Sequence, residues 1–508
     1  MAPNSVRLTS QSPGGLRAEL AAVDHLMLRG DANPRFRSGF ISVEILDTTP
    51  DWERFRTRAE DVSRRVLRLR QKVVEPSLPT AAPRWVVDPD FNIDFHVRRV
   101  RAPEPSTLRE VFDLAEVMLQ SPLDLARPLW TATLVEGLAD GRAAALLHLS
   151  HAVADGVGSM KMFGPIYDSE RHPLAEPPPP QPIPQDLSAN ELMWEGINRL
   201  PGALATGVRG VLSTFGRAVR DPSSTVTRVL GYARSSARML QPAAEPSPLL
   251  RSRGVATRSE ALDIKLCDLH EAAKAYGGSI NDVYLAGLCA VLGRYHTALG
   301  APITALPMVV PVNVRTDADS AGGNKFATIT LAAPVGTADP VERIQKIRAQ
   351  MTQRREEPAK NVIGAVAPVL IMLPTPVLVQ MMLRSAAASD VLATNIAAYP
   401  QDTYLCGAKV LRQYGLGPLN GTAMEVMLLS RGGACTITAR YDRAAVQHKK
   451  LFAECMLAGF NEILAFSGEA KPNAIPASFA VRVPSSRSRL VMTHDRLRGL
   501  PTGQPLPK

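Results

Sequence analysis

The stretch Leu146-Leu147-His148-Leu149-Ser150-His151-Ala152-Val153-Ala154-Asp155-Gly156 carries the residue types that move a proton. An apolar run with the pattern of a strand ends in histidine, and a short loop then brings aspartate followed by glycine. Imidazole titrates near neutrality, so a rigidly held His151 can take a proton from a hydroxyl and return it later. Asp155 can orient the loop through a salt bridge, and Gly156 permits a tight backbone turn. Period-two alternation sets His148 and Ser150 on one face of the strand and His151 on the other. Histidine and aspartate are also ordinary zinc donors. Two histidines on opposite faces, with no further Cys or His cluster to complete a shell, argue against a metal. A structural histidine is the competing reading, because His-x-x-x-Asp-Gly alone is a short string.

Such a loop needs a sheet behind it. Strand patterns at 40–46, 95–100, 130–135 and 143–149 alternate with helical patterns at 52–69 and 108–119, which predicts a mixed α/β domain. Strand and helix patterns resume at 261–266, 281–300, 306–314, 326–333, 423–429, 434–440 and 448–465, a second mixed domain of similar size. The predicted division is a flexible N-terminus (1–19), an N-terminal domain (20–172), a connector (173–258), a C-terminal domain (259–470) and a basic tail (471–508). Seven prolines from Pro173 to Pro184 make the start of the connector extended rather than helical. Within it, Leu204, Val208, Val211, Leu212, Phe215 and Val219 share one helical face, either packed on its own domain or resting on lipid.

The chain has 508 residues, 45% hydrophobic and 21% charged, which excludes a mostly disordered protein. Its net charge of +10 favours anionic surfaces and is weak support for nucleic acid, since residues 480–508 alone carry +5. Five scattered cysteines form no Cys-x-x-Cys pair, and residues 1–19 lack a secretory apolar core. A cytoplasmic protein, or one touching a membrane from the cytoplasmic side, is expected. Residues 361–383 hold no charge, yet Pro368, Pro374 and Pro376 interrupt them. A buried hairpin or a pair of short interfacial helices fits better than a membrane span.

Several segments in fixed order carry a family resemblance. Ser121-Pro-Leu-Asp-Leu-Ala-Arg-Pro-Leu-Trp130, the His151 string and Gly278-Ser-Ile-Asn-Asp-Val283 resemble the bacterial wax ester synthase/diacylglycerol acyltransferase family. Ala22-Val-Asp-His-Leu-Met27 and Leu67-Arg-Leu-Arg-Gln-Lys72 look like its opening segments. Val310-Pro-Val-Asn-Val-Arg315, Gly322-Gly-Asn324 and Ala393-Thr-Asn-Ile396 look like its later ones, so the resemblance spans roughly 20–470.

The resemblance implies a two-domain fold like chloramphenicol acetyltransferase and other coenzyme A-dependent acyltransferases, with a tunnel between the domains. It implies transfer of a long-chain acyl group from acyl-CoA, as co-substrate, to diacylglycerol or a long-chain alcohol. No metal or other cofactor is implied, and the expected location is the inner membrane face or a lipid droplet. His151 matches the family's base, Asp155 and Gly156 its Asp-Gly, and Asn281 and Asp282 its Asn-Asp pair. Asn281 would donate to the tetrahedral oxyanion or make a structural bond at its helix start. Pro128, Leu129 and Trp130 match a motif taken as structural. Two departures stand out: Ser150 replaces the family's first histidine, and Ala397-Ala-Tyr-Pro400 replaces a Pro-Gly-Pro stretch. A lipid-binding homologue with weak or no turnover, or a transferase for another lipid alcohol, are the alternative readings.

Overall fold

Residues 18–174, 176–199, 243–313, 323, 324, 326–355, 362–465, 475 and 476 are described by the computed structural model. The amphipathic pattern at 204–219 and the basic segment 480–508 lie outside the described residues. The first half runs α1 (Ala22–Gly30), β1 (Gly39–Leu46), α2 (Trp52–Arg65), β2 (Gln71–Val74), β3 (Arg84–Val87), β4 (Val97–Arg101), α3 (Leu108–Gln120), β5 (Trp130–Glu136), β6 (Ala143–Ser150) and α4 (Gly156–Phe163). The second half begins with β7 (Thr257–Lys265), α5 (Leu266–Ala275), α6 (Ile280–Ala298), β8 (Leu306–Asn313), β9 (Phe326–Ala333) and α7 (Pro340–Arg355). It continues through α8 (Val362–Leu370), α9 (Thr375–Ala386), β10 (Val391–Ala397), β11 (Tyr404–Leu405), β12 (Ala408–Leu416), β13 (Met424–Arg431), β14 (Ala434–Asp442), α10 (Lys449–Leu464) and β15 (Ile475–Pro476).

Two mixed sheets organise these elements. One has the order β11-β12-β1-β6-β5-β4 and the other β15-β7-β14-β13-β10-β8-β9. In the first, β4 and β5 are parallel and β1, β6 and β12 antiparallel; in the second, β10 lies parallel to both β8 and β13. The predicted domain 259–470 contributes strands to both sheets. Strands β11 and β12 leave the second half and join the first sheet, with Ile41 opposite Leu416 and Val43 opposite Tyr414. Without β12, the backbone groups of β1 would face no partner along one edge.

A buried polar lock joins the halves at another point. Arg440 of β14 reaches Glu116 of α3 at 3.1 Å, the Gly417 carbonyl at 3.0 Å and Thr257 Oγ1 at 3.1 Å. Ser259 and Thr257 hydroxyls donate to the same Glu116 carboxylate. Helix α3 is itself started by a capping box between Thr107 and Glu110, worth about 1 kcal/mol.

The uncharged stretch at 361–383 forms α8 and α9, two short helices, and among the described residues no helix is long and apolar enough to cross a membrane. Arg29 of α1 clamps the turn between them, donating to the carbonyls of Ile371 (2.5 Å) and Leu373 (2.6 Å) and to Thr375 Oγ1 (2.8 Å). The outer side of this hairpin stays apolar and exposed: Met372 is 81% exposed, with Val377 and Met381 about half exposed.

Candidate active site

Strand β6 sits between β1 and β5, so its C-terminal end is held from both sides. His148 lies opposite Ile41 and Thr131 and is buried. Burial, then the charges of Arg440 and Arg98, push its pKa down to about 4. At neutral pH it is an uncharged part of the core. Ser150 ends the strand, and its Oγ accepts the Ala152 N–H at 3.2 Å. The hydroxyl thus tightens the turn that follows, a local bond typical of serine.

His151 comes one residue later, off the strand, with its ring edge-on to Phe40 at 4.9 Å. Its Nδ1 lies 3.3 Å from Asn324 Oδ1. The Asn324 amide nitrogen donates to the His151 carbonyl at 2.7 Å and to Asp24 Oδ1 at 2.8 Å, and its backbone N–H reaches the same oxygen at 3.1 Å. With both amide hydrogens committed, only Oδ1 faces the imidazole. An acceptor there requires the proton on Nδ1, which leaves the Nε2 lone pair as the basic one. Burial holds the His151 pKa below the usual value, with Asn324 and Asp155 pulling the other way.

The backbone fixes this arrangement as well. Gly323 N–H donates to the Val153 carbonyl at 3.0 Å, and Gly323 takes φ +73° with Asp24 Oδ2 3.2 Å from where a Cβ would stand. A side chain there would be strained and would press on Asp24. Asp24 is buried on α1, and burial raises its pKa to about 6, offset in part by Asn324 and Arg68. Arg68 lies over the Trp85 ring at 4.1 Å. Neither Asp24 nor Asn324 had a role assigned from sequence. Their segments were legible, but nothing in the spacing ties residues 24, 151 and 324 together.

Asp155 is the N-cap of α4, its Oδ1 accepting the Gly158 N–H at 2.7 Å. It contributes by that cap and by its charge beside His151. Gly156 is where α4 meets β10: a Cβ would stand 2.4 Å from Ile396 Cδ1. Met160 of α4 packs on Ile396, Met427 and Leu429 of the second sheet.

Asn281 and Asp282 open α6. Asp282 is buried and its carboxylate accepts the backbone N–H and hydroxyl of Ser279, both at 2.9 Å, in a capping box. Asp282, grouped with the chemical residues from sequence, makes both of its carboxylate hydrogen bonds to its own helix start. Asn281 Oδ1 accepts from Asn395 Nδ2 at 3.4 Å, on the strand that also carries Ile396. Trp130 donates its indole N–H to the Leu69 carbonyl at 2.7 Å and stacks on His96 at 4.6 Å, a structural anchor beneath the site. Among the described residues no group of three or more His, Cys, Asp or Glu side chains could hold a metal.

The arrangement is a half-buried imidazole whose Nδ1 faces Asn324 and whose Nε2 has no hydrogen-bond partner among the described residues, at a point where residues of the two halves meet. Comparison with known proteins gives the family. The wax ester synthase/diacylglycerol acyltransferase catalytic domain matches residues 16–284, and that family's C-terminal domain matches 322–464. A Mycobacterium tuberculosis protein with a provisional diacylglycerol O-acyltransferase name is 65% identical over 480 residues, covering 94% of this chain and 98% of the relative. A second such protein from the same organism is 28% identical over 485 residues, 91% of this chain and 99% of its own. Among solved structures, a wax ester synthase/diacylglycerol acyltransferase from Marinobacter aquaeolei is similar in fold, with a TM-score of 0.59, 19% identity, and coverage of 89% and 100%.

Proposed function

The chain belongs to the wax ester synthase/diacylglycerol acyltransferase family and is an O-acyltransferase, and we propose that His151 is the base by which it moves a long-chain acyl group from acyl-CoA to diacylglycerol. The observation that carries this reading is the Nδ1 contact to Asn324, which leaves Nε2 free. His151 Nε2 takes the proton from the acceptor hydroxyl as that oxygen attacks the thioester carbon. The C–S bond of the tetrahedral adduct then breaks, and the imidazolium passes its proton to the departing coenzyme A thiolate. Atoms balance without an acyl-enzyme and with acyl-CoA as the one co-substrate.

Asn281 is the donor we assign to the oxyanion. Its Oδ1 faces Asn395, so its NH₂ is the side free for a ligand. Asn324 and Asp24 are positioning residues that hold the tautomer. The acyl chain and acceptor would reach His151 along the seam between the halves. The apolar outer face of α8 and α9, with Met372, Val377 and Met381 exposed, supports peripheral contact with a membrane or lipid droplet on the cytoplasmic side.

The test is release of coenzyme A thiol from palmitoyl-CoA with and without diacylglycerol or hexadecanol, with the lipid products identified. Acceptor-dependent release that His151→Ala abolishes is the expected result. Equal release by both proteins would reject His151 as the base. Acyl-CoA binding without turnover, across a panel of lipid alcohols, would favour the lipid-binding reading and make Ser150→His the next variant.

A further inference from the structure

Apart from the histidine site, a cavity of about 130 Å³ opens where the Pro34–Phe36 turn, the C-terminal ends of α3 and α9, and the start of β7 converge. Arg35, Arg37, Arg253 and Arg440 line it, against one lining carboxylate, Asp442. That carboxylate is committed, accepting the N–H groups of Gly254 at 2.6 Å and Ala444 at 2.8 Å. Arg440 is held by Glu116, and Arg253 donates to the Gly421 carbonyl at 3.0 Å and lies 3.8 Å from Asp390. Arg35 and Arg37 differ. Neither forms an ion pair among the described residues, and the Arg37 Nε–H is buried without an acceptor among them.

A buried donor lacking an acceptor costs free energy, and converging like charges repel. An anion entering the cavity would offset both. Burial lowers the Arg253 pKa, and Arg35 adds to that lowering against the pull of Asp390 and Asp442, so the two guanidinium groups already feel each other. The volume is well below the roughly 300–1,000 Å³ of sites that enclose a whole small ligand. It suits a headgroup-sized anion.

We propose that this cavity is an anion subsite for a phosphoryl group, with Arg35 and Arg37 as its donors and Arg253 and Arg440 as its fixed positive wall. Two sources present that chemistry. Arg37 stands three residues before Phe40, which packs on His151, or roughly 10 Å along extended chain, so a coenzyme phosphate is one. Leu383 and Ala387 at the end of α9 line the same cavity, and α9 carries the exposed Val377 and Met381, so a phospholipid headgroup is the other.

The experiment measures binding without turnover, so its outcome is separate from that of the acyl-transfer assay. Parent, Arg37→Gln, Arg37→Lys and the Arg35→Gln/Arg37→Gln pair are titrated calorimetrically with adenosine 3′,5′-bisphosphate. The same proteins are sedimented with phosphatidylcholine vesicles with and without phosphatidylglycerol. Each lost arginine is expected to weaken the relevant ligand about tenfold, with partial recovery in Arg37→Lys. Loss confined to the nucleotide assigns the coenzyme source, and loss confined to anionic vesicles assigns the headgroup. A parent that binds neither probe, or a folded double variant that binds both as the parent does, overturns the proposal.

Discussion

The end of β6 and the start of α6 face the same seam, yet their polar groups are tied down in opposite ways. Around His151 the partners come from afar: Asp24 from α1 and Asn324 from the segment before β9. At Asp282 the partner is Ser279, within the same turn of chain, and the neighbouring Asn281 has one long contact, 3.4 Å to Asn395. A local cap forms with its helix and fixes little beyond it. A long-range set forms only when the whole fold closes, so it can hold one nitrogen in one tautomer. On that contrast rests our proposal of proton transfer at the first region and a hydrogen-bond donor at the second.

Breaking the imidazole itself has the largest expected effect. His151→Ala should lower kcat by roughly 10²–10⁴-fold with the fold unchanged by circular dichroism. Next in size, Asn281→Ala should cost about 10²-fold in kcat if its amide meets the oxyanion. Asp282→Ala beside it should instead lose about 1 kcal/mol of stability in urea melts and leave kcat nearly intact. Reversed effects in that pair would exchange the two roles.

Asn324→Ala should reduce kcat by about 5- to 150-fold, since a buried hydrogen bond is worth ~1–3 kcal/mol when a partner is orphaned. The Asn324 bond raises the His151 pKa, so its loss should also move the acid limb of the pH–rate profile to lower pH. An unchanged profile would reduce Asn324 to packing.

A smaller effect tests the neighbour on the strand. The folded pKa of His148, about 4, lies below its usual 6.5. The unfolded chain therefore binds more protons between those values. Its contribution is complete above pH 6.5 and is lost as the pH falls towards 4, by about 3 kcal/mol in all. His148→Gln should flatten that limb of the stability profile, whatever the starting stability, and a limb unaltered in the variant would exclude His148 as its source.

Much of this was legible in sequence. Apolar alternation marked β1, β5, β6, β8, β9, β13 and β14 to within a few residues, because each buries side chains and its pattern follows from that. Residues 95–100 were read as one strand and instead begin as a helical turn, Ile93–His96, before β4. Strand β12 escaped the reading because Lys409, Arg412 and Gln413 interrupt its pattern. Gln413 is buried only because Ser42 and Arg431, from distant strands, supply its hydrogen bonds.

The same division runs through the site. The ordered motifs were enough, from sequence, to point to the family, and His151, Asp155 and Gly156 could be named as candidates because they are neighbours along one loop. Tertiary structure alone decided that Asp24 and Asn324 select the imidazole tautomer, that Asp282 closes a cap, and that β12 crosses into the first sheet. Each of these depends on hydrogen bonds between groups distant in the chain or on which of two local bonds a side chain takes. Periodicity records burial and does not record partners.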